Sequence, residues 1–218
     1  MSEEETPNRC RIVLIAPPAG AGDAARIEAA LSGGDIASLI LPDYGADEAA
    51  FQDYAERLTP LAQARGIAVI IAGEPRTAAR VQADGIHVEG SKSELADAVR
   101  KYQDRMVVGC GGAKTRDDAL ELGETQPDYI FFGRFGYDNK PEPHPRNLTL
   151  GGWWSQMISV PCIVLAGTDI RSVQAVAETG AEFVALGAAV FADGADPARM
   201  VTGANMLLDL HAPAFEDR

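Results

Sequence analysis

Two strand-to-helix turns in the last third of the chain carry the residues best suited to bind a phosphate. Gly167 and Thr168 follow one short apolar run, and Gly187 and Ala188 follow the next. Small residues let the backbone approach a ligand closely, and the N–H groups exposed at the start of a helix attract an anion. The sequence therefore predicts a phosphorylated small-molecule ligand at these two turns.

Three other side chains could carry proton transfer or neutralise charge. His87 ends a short apolar run and is the histidine best placed for acid–base work, with a hydrogen-bonded structural role as the alternative. His144 lies in a segment rich in proline and is a second acid–base candidate, with an incidental surface position as its alternative. Lys140 precedes it and could face an anionic group.

The elements that must position these residues alternate regularly along the chain. Helical patterns separate short, nearly continuous apolar runs, which are typical of parallel strands buried on both faces. This pattern predicts a single-domain α/β fold, a (β/α)₈ TIM barrel, whose active sites lie at the carboxyl ends of the strands. A doubly wound open sheet is the alternative, because periodicity does not show closure. The predicted strands are residues 11–16, 37–41, 67–72, 85–88, 106–109, 129–133, 162–166 and 183–187.

Domain boundaries follow from where this alternation starts and stops. Residues 1–10 form an acidic N-terminal tail, residues 11–211 the barrel, and residues 212–218 a C-terminal tail, and we expect the ends of the chain to be mobile. Two connections, residues 17–23 and residues 134–146, are longer than the rest and should lie on the carboxyl-end face of the barrel.

Composition narrows the function classes. The chain of 218 residues has a formal net charge of −13, which argues against nucleic acid as a partner, since its phosphates require a basic surface. No apolar run approaches the roughly 20 residues that span a bilayer, and the start of the chain lacks a secretory signal. The three cysteines, Cys10, Cys110 and Cys162, are expected to be reduced core thiols. A cytoplasmic location is therefore expected, and assembly into a homo-oligomer stays open.

The order and spacing of four segments resemble the thiamine phosphate synthase family, which includes the thiazole tautomerases. These segments are residues 83–88 (ADGIHV), residues 128–133 (DYIFFG) with Lys140 following, residues 161–167 and residues 180–191. The resemblance implies a transferase that joins an aminopyrimidine methyl diphosphate to a thiazole phosphate. In that chemistry, Mg²⁺ and basic side chains neutralise the departing diphosphate.

Several positions depart from the pattern that the family implies. The basic run after the second strand falls on Leu41-Pro42-Asp43, and the Asn-Asp pair after the third strand falls on Ala72 and Gly73. The carboxylate after the fourth strand falls on Lys92, and the serine after the fifth falls on Gly111. We therefore expect no bound metal or other cofactor, and very weak or absent Mg²⁺-dependent synthesis of thiamine phosphate.

Within the family, these departures favour a barrel that keeps the thiazole-phosphate half of the site and has lost the diphosphate half. Lys92 and Lys114, together with the retained Lys140, could instead rebuild that half without metal. A metal-independent, tautomerase-like isomerase and a non-catalytic binding barrel are the alternatives to the transferase. The isomerase would need only the phosphate site and one acid–base residue.

Overall fold

A computed structural model describes residues 6–18 and 23–215, except for the side chain of Asp23. Eight strands alternate with helices: β1 Arg11–Ile15, β2 Ser38–Pro42, β3 Ala68–Ala72, β4 Gly85–Val88, β5 Val107–Cys110, β6 Tyr129–Phe132, β7 Cys162–Leu165 and β8 Phe183–Leu186. The helices are α1 Asp23–Leu31, α2 Glu48–Gln63, α3 Pro75–Val81, α4 Lys92–Tyr102, α5 Arg116–Gly123, α6 Pro145–Met157, α7 Ser172–Ala177, α8 Ala188–Phe191 and α9 Pro197–His211.

The strands form a closed barrel in chain order, which confirms the predicted fold and excludes the open sheet. Every neighbouring pair is parallel, and β8 pairs with β1 through four residues from Arg11↔Phe183 to Leu14↔Leu186. Two details differ from the sequence prediction. The connection after β6 ends at His144, because Pro145 begins α6, and the short helix α8 follows β8 directly.

Carboxylates placed just before alternate strands tie the amino end of the barrel together. Asp84 accepts a hydrogen bond from the Val69 N–H at 2.7 Å, and Asp128 accepts one from the Val108 N–H at 2.7 Å. Glu182 accepts from the Cys162 N–H at 2.9 Å. The acidic residue in the segments of residues 83–88 and 128–133 therefore has a structural role at the end of the barrel opposite the active-site face.

Side chains from the strands fill the inside of the barrel, and glycine makes room for the largest of them. A Cβ atom on Gly109 would lie 1.9 Å from Cζ of Tyr129, so the aromatic ring occupies the space of the missing side chain. Tyr129 packs in this interior cluster with Ile70, Phe131 and Leu165. The arrangement brings the Tyr129 hydroxyl towards the carboxyl end of β4.

Both ends of the described chain pack on the amino end of the barrel. Arg9 and Ala214 form an isolated antiparallel bridge. The predicted mobile tails fall partly on residues 1–5 and 216–218, which lie outside the described residues, as do residues 19–22 of the connection after β1.

All three cysteines are buried and free, as predicted. Burial raises the pKa of Cys10 and of Cys110 to about 12, so neither is a ready nucleophile. In the part of the chain that the structure describes, every helix is too short or too polar to cross a membrane.

Candidate functional site

A cavity of about 850 Å³ opens at the carboxyl end of the barrel, above β2, β3, β4 and β6. His87 and Ala72 lie in its wall together with Phe135, and carboxylates and tyrosines surround them. Such a concave site with a few convergent polar groups is the usual place for a small-molecule ligand in this fold.

His87 is held rigidly in the wall of this cavity. Its side chain is buried, its Nδ1 atom lies 2.9 Å from the Tyr129 hydroxyl, and the rings of Phe131 and Phe135 approach it edge-on. Burial lowers the pKa of His87 to about 3, so the imidazole is neutral near pH 7. A neutral imidazole has one donor and one acceptor nitrogen, and the tautomer decides whether Nδ1 accepts from the Tyr129 hydroxyl or donates to it.

The other nitrogen of His87 is unpartnered. Among the residues that the structure describes, Nε2 is buried and has no hydrogen-bond partner. A Cβ atom on Gly111 would lie 2.9 Å from Nε2 and 3.4 Å from Oε1 of Glu89. The absence of a side chain at Gly111 therefore lets the backbone lie close to this nitrogen.

Five of the described residues that line the cavity carry carboxylates: Asp43, Glu74, Glu89, Glu94 and Asp97. Partial burial raises the pKa of Glu89, and the nearby charge of Arg134 opposes that rise. The guanidinium of Arg134 lies 3.9 Å from the centroid of the Tyr137 ring. Along the chain, Glu74 and Glu89 are single carboxylates just after β3 and β4, and no local pattern predicts that Asp43 lines the same cavity.

A smaller cavity of about 400 Å³ lies beside the first, above β4 and β5. Gly111, Lys92 and Lys114 all line it, together with Asp118 and Glu121. Lys92 forms an ion pair with Glu124, and this hydrogen bond raises the pKa of the lysine. The structure thus brings together two of the three lysines considered as a replacement for the metal.

Lys140 and His144 lie apart from both cavities. Lys140 is exposed, and its backbone carbonyl accepts a hydrogen bond from the Thr168 N–H at 2.8 Å. His144 is exposed at the N-cap of α6, where its Nδ1 accepts from the Arg146 N–H at 3.2 Å. A capping role accounts for His144 in this conformation.

The turns after β7 and β8 lie side by side, and the connection between β6 and α6 covers them. Ala188 donates its backbone N–H to Oδ2 of Asp138 at 2.6 Å, and a Cβ atom on Gly187 would lie 2.9 Å from the same oxygen. Gly167 donates to the Ser172 hydroxyl, and a Cβ atom there would lie 2.1 Å from the Pro141 carbonyl oxygen.

Asp138 therefore places a carboxylate on the backbone N–H group predicted to bind phosphate. Asp138 is half-buried, and this burial raises its pKa, although the Ala188 N–H opposes the rise. No role is predicted for Asp138 from the sequence. Its contact with Ala188 spans 50 residues of the chain, and no local pattern announces it.

The Mg²⁺ that the resemblance implies does not fit the residues of this site. Within residues 6–18 and 23–215, no three His, Cys, Asp or Glu side chains form a group that could hold a metal ion. The expected ligand positions fall on Ala72, Gly73 and Lys92, and the lysine is bound to a carboxylate of its own. We therefore derive no chemical step through a metal.

Known proteins resemble this chain over most of its length. The chain is 34% identical over 205 residues to the thiamine-phosphate synthase of Rhodospirillum centenum, covering 91% of this chain and 98% of the relative. It is 29% identical over 210 residues to that of Hyphomonas neptunium, covering 92% and 95% of the two chains. The solved thiamine phosphate pyrophosphorylase from Pyrococcus furiosus shares the fold, with a TM-score of 0.78, 16% identity, and coverage of 94% of this chain and 98% of that one.

A family profile described as thiamine monophosphate synthase matches residues 12–190, which run from β1 into α8. The match includes every strand of the barrel and both cavities at its carboxyl end. The chain belongs to the thiamine monophosphate synthase family.

Proposed function

We propose that this chain acts in thiamine biosynthesis by binding a thiazole phosphate-type ligand at the turns after β7 and β8, without catalysing Mg²⁺-dependent transfer. The family and its curated relatives support the thiamine part of this proposal. A cytoplasmic location and assembly with further copies of the chain belong to the proposal as well.

The observation that carries the loss of transferase activity is the charge of the large cavity. Asp43, Glu74 and Glu89 line the part of the mouth where the departing diphosphate would need cations. Like charges repel strongly when water is partly excluded, so these carboxylates oppose the binding of a diphosphate. Among the described residues that line the cavity, the cationic side chains are Lys101 and Arg134, and Arg134 lies over Tyr137.

The phosphate part of the proposal is supported by the small residues and the backbone amides at Gly167, Thr168, Gly187 and Ala188. In this structure, two of these amides donate to groups of the same chain. The Ala188 N–H donates to the Asp138 carboxylate, and the Thr168 N–H donates to the Lys140 carbonyl. A carboxylate on the Ala188 N–H indicates that this position accepts an anion. Ligand binding would require the connection after β6 to withdraw.

A metal-independent, tautomerase-like isomerase is the second candidate, and Glu89 is the observation that favours it. Glu89 lines the large cavity, and partial burial raises its pKa above the ordinary value, so its carboxyl could give or take a proton there. His87 is less suited to proton transfer, because the lowered pKa makes its imidazole a weak base.

The first experiment incubates the purified chain with both thiamine precursors and Mg²⁺ and measures thiamine phosphate. We expect little or no product, because losing a single preorganised electrostatic contact can cost about 10²–10³-fold in rate. Turnover at ordinary enzymatic rates that a chelator abolishes would refute the proposal. A relative with an established synthase activity serves as the positive control.

The second experiment titrates thiazole phosphate into the chain by calorimetry. We expect Gly187→Leu to abolish binding, because a side chain there would meet Oδ2 of Asp138 and cover the Ala188 N–H. Gly203→Leu is the matched control, since a Cβ atom at Gly203 meets nothing within 4 Å. Equal affinity in the wild type and Gly187→Leu would show that the phosphate binds elsewhere.

A further inference from the structure

The last helix, α9, presents an apolar face that the rest of the described chain does not cover. Met206 is 60% exposed and Leu210 is 74% exposed, and the two lie one turn apart on the same side of the helix. Among the described residues, Leu210 is the most exposed of the large apolar side chains. Single apolar side chains on a surface are ordinary, but neighbouring ones along one helix face form a surface on which a partner can pack.

Gly203 lies beside Met206 on this face of α9 and leaves it open to close approach. A Cβ atom on Gly203 would meet nothing within 4 Å, so the described part of the chain does not require a glycine there. Glycine inside a helix lowers its stability relative to alanine, because it loses more conformational freedom on folding. A second helix packed on this face would use the space that the missing side chain leaves.

The distribution of charge on α9 suits a second copy of this chain. Residues 200–208 (MVTGANMLL) include no charged side chain, although the whole chain has a formal net charge of −13. Two copies of an acidic chain repel each other wherever their carboxylates meet. This uncharged stretch of α9 is therefore a surface on which a second copy meets little repulsion.

The charged residues that bound this stretch are arranged symmetrically. Arg199 and Asp209 are each five positions from residue 204, and Thr202 and Met206 are each two positions from it. When two α9 helices pack antiparallel around a two-fold axis at that point, Arg199 of one copy lies beside the partner's Asp209. Met206 then lies beside the partner's Thr202. Such a surface is complementary to itself, as a two-fold interface requires.

Both charged residues can make this contact. Arg199 is exposed and is in no ion pair within the described part of the chain. The side chain of Asp209 is 64% exposed, although its Oδ1 atom pairs with Arg9. Arg199 also lies in the first turn of α9, where the helix dipole disfavours a cation, and antiparallel packing brings it to the partner helix's C-terminal end, where the dipole favours one.

We propose that a second copy of this chain docks on the exposed face of α9, through antiparallel packing of the two α9 helices around a two-fold axis near residue 204. The proposal rests on the assembly part of the proposed function and names the surface that assembles. It requires no ligand, since no residue of α9 lines either cavity.

The test measures self-association of the full chain by sedimentation velocity over a range of concentrations. We expect the wild type to show a monomer–dimer equilibrium. Met206→Glu should raise the dissociation constant at least about tenfold, because it buries an unpaired carboxylate in the interface. Met157→Glu makes the same change at a residue of α6 that is 67% exposed, and it should leave the equilibrium unchanged.

Three outcomes of this measurement would overturn the proposal. They are a monomer at every concentration, a dimer that Met206→Glu leaves intact, and a dimer that only Met157→Glu dissociates. Because both methionines are exposed, we expect both variants to keep the circular dichroism spectrum of the wild type.

Variants of Arg199 test the antiparallel arrangement. Arg199→Glu should raise the dissociation constant several-fold, because it places a carboxylate beside the partner's Asp209, and Arg199→Lys should keep the wild-type value. Arg57→Glu reverses the charge of an exposed arginine on α2 and is the control. Equal dissociation constants for Arg199→Glu and the wild type would also overturn the proposal.

The failure of this proposal and that of the proposed function are distinguishable. A dimer that persists in Met206→Glu removes only the α9 surface and keeps the assembly part of the proposed function. The titration with thiazole phosphate and the assay for thiamine phosphate test the ligand and the reaction independently of self-association.

Discussion

The imidazole of His87 on β4 is oriented by a hydrogen bond with Tyr129 on β6, and that contact depends on a glycine in the strand between them. Tyr129 reaches His87 because its ring occupies the space where Gly109 lacks a side chain. Both the Tyr129 ring and the His87 imidazole are buried, and this burial holds the imidazole in place and keeps water from Nδ1. The pKa of His87 on β4 therefore depends on residues of β5 and β6. The residues next to His87 in the chain do not predict its protonation state for that reason.

The lowered pKa of His87 predicts how stability depends on acid. The folded state holds this histidine neutral, with a pKa of about 3 against an ordinary value of 6.5, so the unfolded chain binds more protons between these values. The contribution of His87 to stability is therefore complete above about pH 6.5 and is lost as the pH falls, by about 1.4 kcal/mol per pH unit. Urea unfolding between pH 7 and pH 4 should show a shallower decline for His87→Gln than for the wild type. His211→Gln, at the exposed end of α9, should keep the wild-type slope, and parallel curves for His87→Gln would contradict the expectation.

The connection between β6 and α6 covers the proposed phosphate site, and its position decides whether that site is open to a ligand. Its residues 133–144 contact the ends of β7 and β8 through Asp138, the Lys140 carbonyl and Pro141. Burial raises the pKa of Tyr44 to about 12, and the charge of Asp138 contributes to this rise, so Asp138 is also close to a residue that lines the large cavity. The connection therefore contacts both the turns after β7 and β8 and the large cavity.

Removing the charge of Asp138 should strengthen the binding of thiazole phosphate if the carboxylate competes for the Ala188 N–H. Asp138→Asn keeps an oxygen acceptor of the same shape but makes a weaker hydrogen bond, since bonds to charged groups are worth about 1 kcal/mol more than neutral ones. We expect a gain of roughly fivefold in affinity by calorimetry. Asp53→Asn changes an exposed carboxylate on α2 and serves as the control. Unchanged or weaker affinity in Asp138→Asn would contradict competition by the carboxylate.

At the scale of the whole molecule, the fold could be read from the sequence because each strand is buried on both faces. The nearly continuous apolar runs predict the ends of all eight strands to within one or two residues, and the helices lie between them as predicted. Closure needs the pairing of β1 with β8, which joins residues more than 170 positions apart and leaves no local trace. Spacing alone could therefore favour the barrel over the open sheet without deciding between them.

The candidate site was harder to predict from the sequence, because it too depends on contacts between residues that are far apart in the chain. The small residues at Gly167 and Gly187 were visible as a pattern, but their present partners come from a connection whose path depends on tertiary packing. The large cavity is lined by Asp43, which follows β2, and by Glu89, which follows β4. These residues are 46 positions apart in the chain, and only the arrangement of the strands in the barrel places them around one cavity.

Arg9 joins the two ends of the described chain, and we expect its contacts to stabilise the whole barrel. Arg9 is 7% exposed, pairs with Asp209 at 2.7 Å, and donates to the Asn205 side chain and the Cys10 carbonyl. Its guanidinium thus joins the residue before β1 to the last helix, α9, which packs against α1 and α7.

Replacing Arg9 by alanine leaves buried acceptors on Asn205 and Cys10 without a donor, which should cost about 1–3 kcal/mol in the free energy of unfolding. Arg100→Ala removes an exposed guanidinium that pairs with Asp97 three residues earlier in α4, and such surface pairs contribute about 0–1 kcal/mol. Urea denaturation followed by circular dichroism should give a single transition for both variants, with a lower midpoint for Arg9→Ala alone. If the two midpoints coincide, the chain ends do not stabilise the closed barrel. A separate early transition in Arg9→Ala would instead show that α9 unfolds on its own, which the packing of α9 against both α1 and α7 argues against.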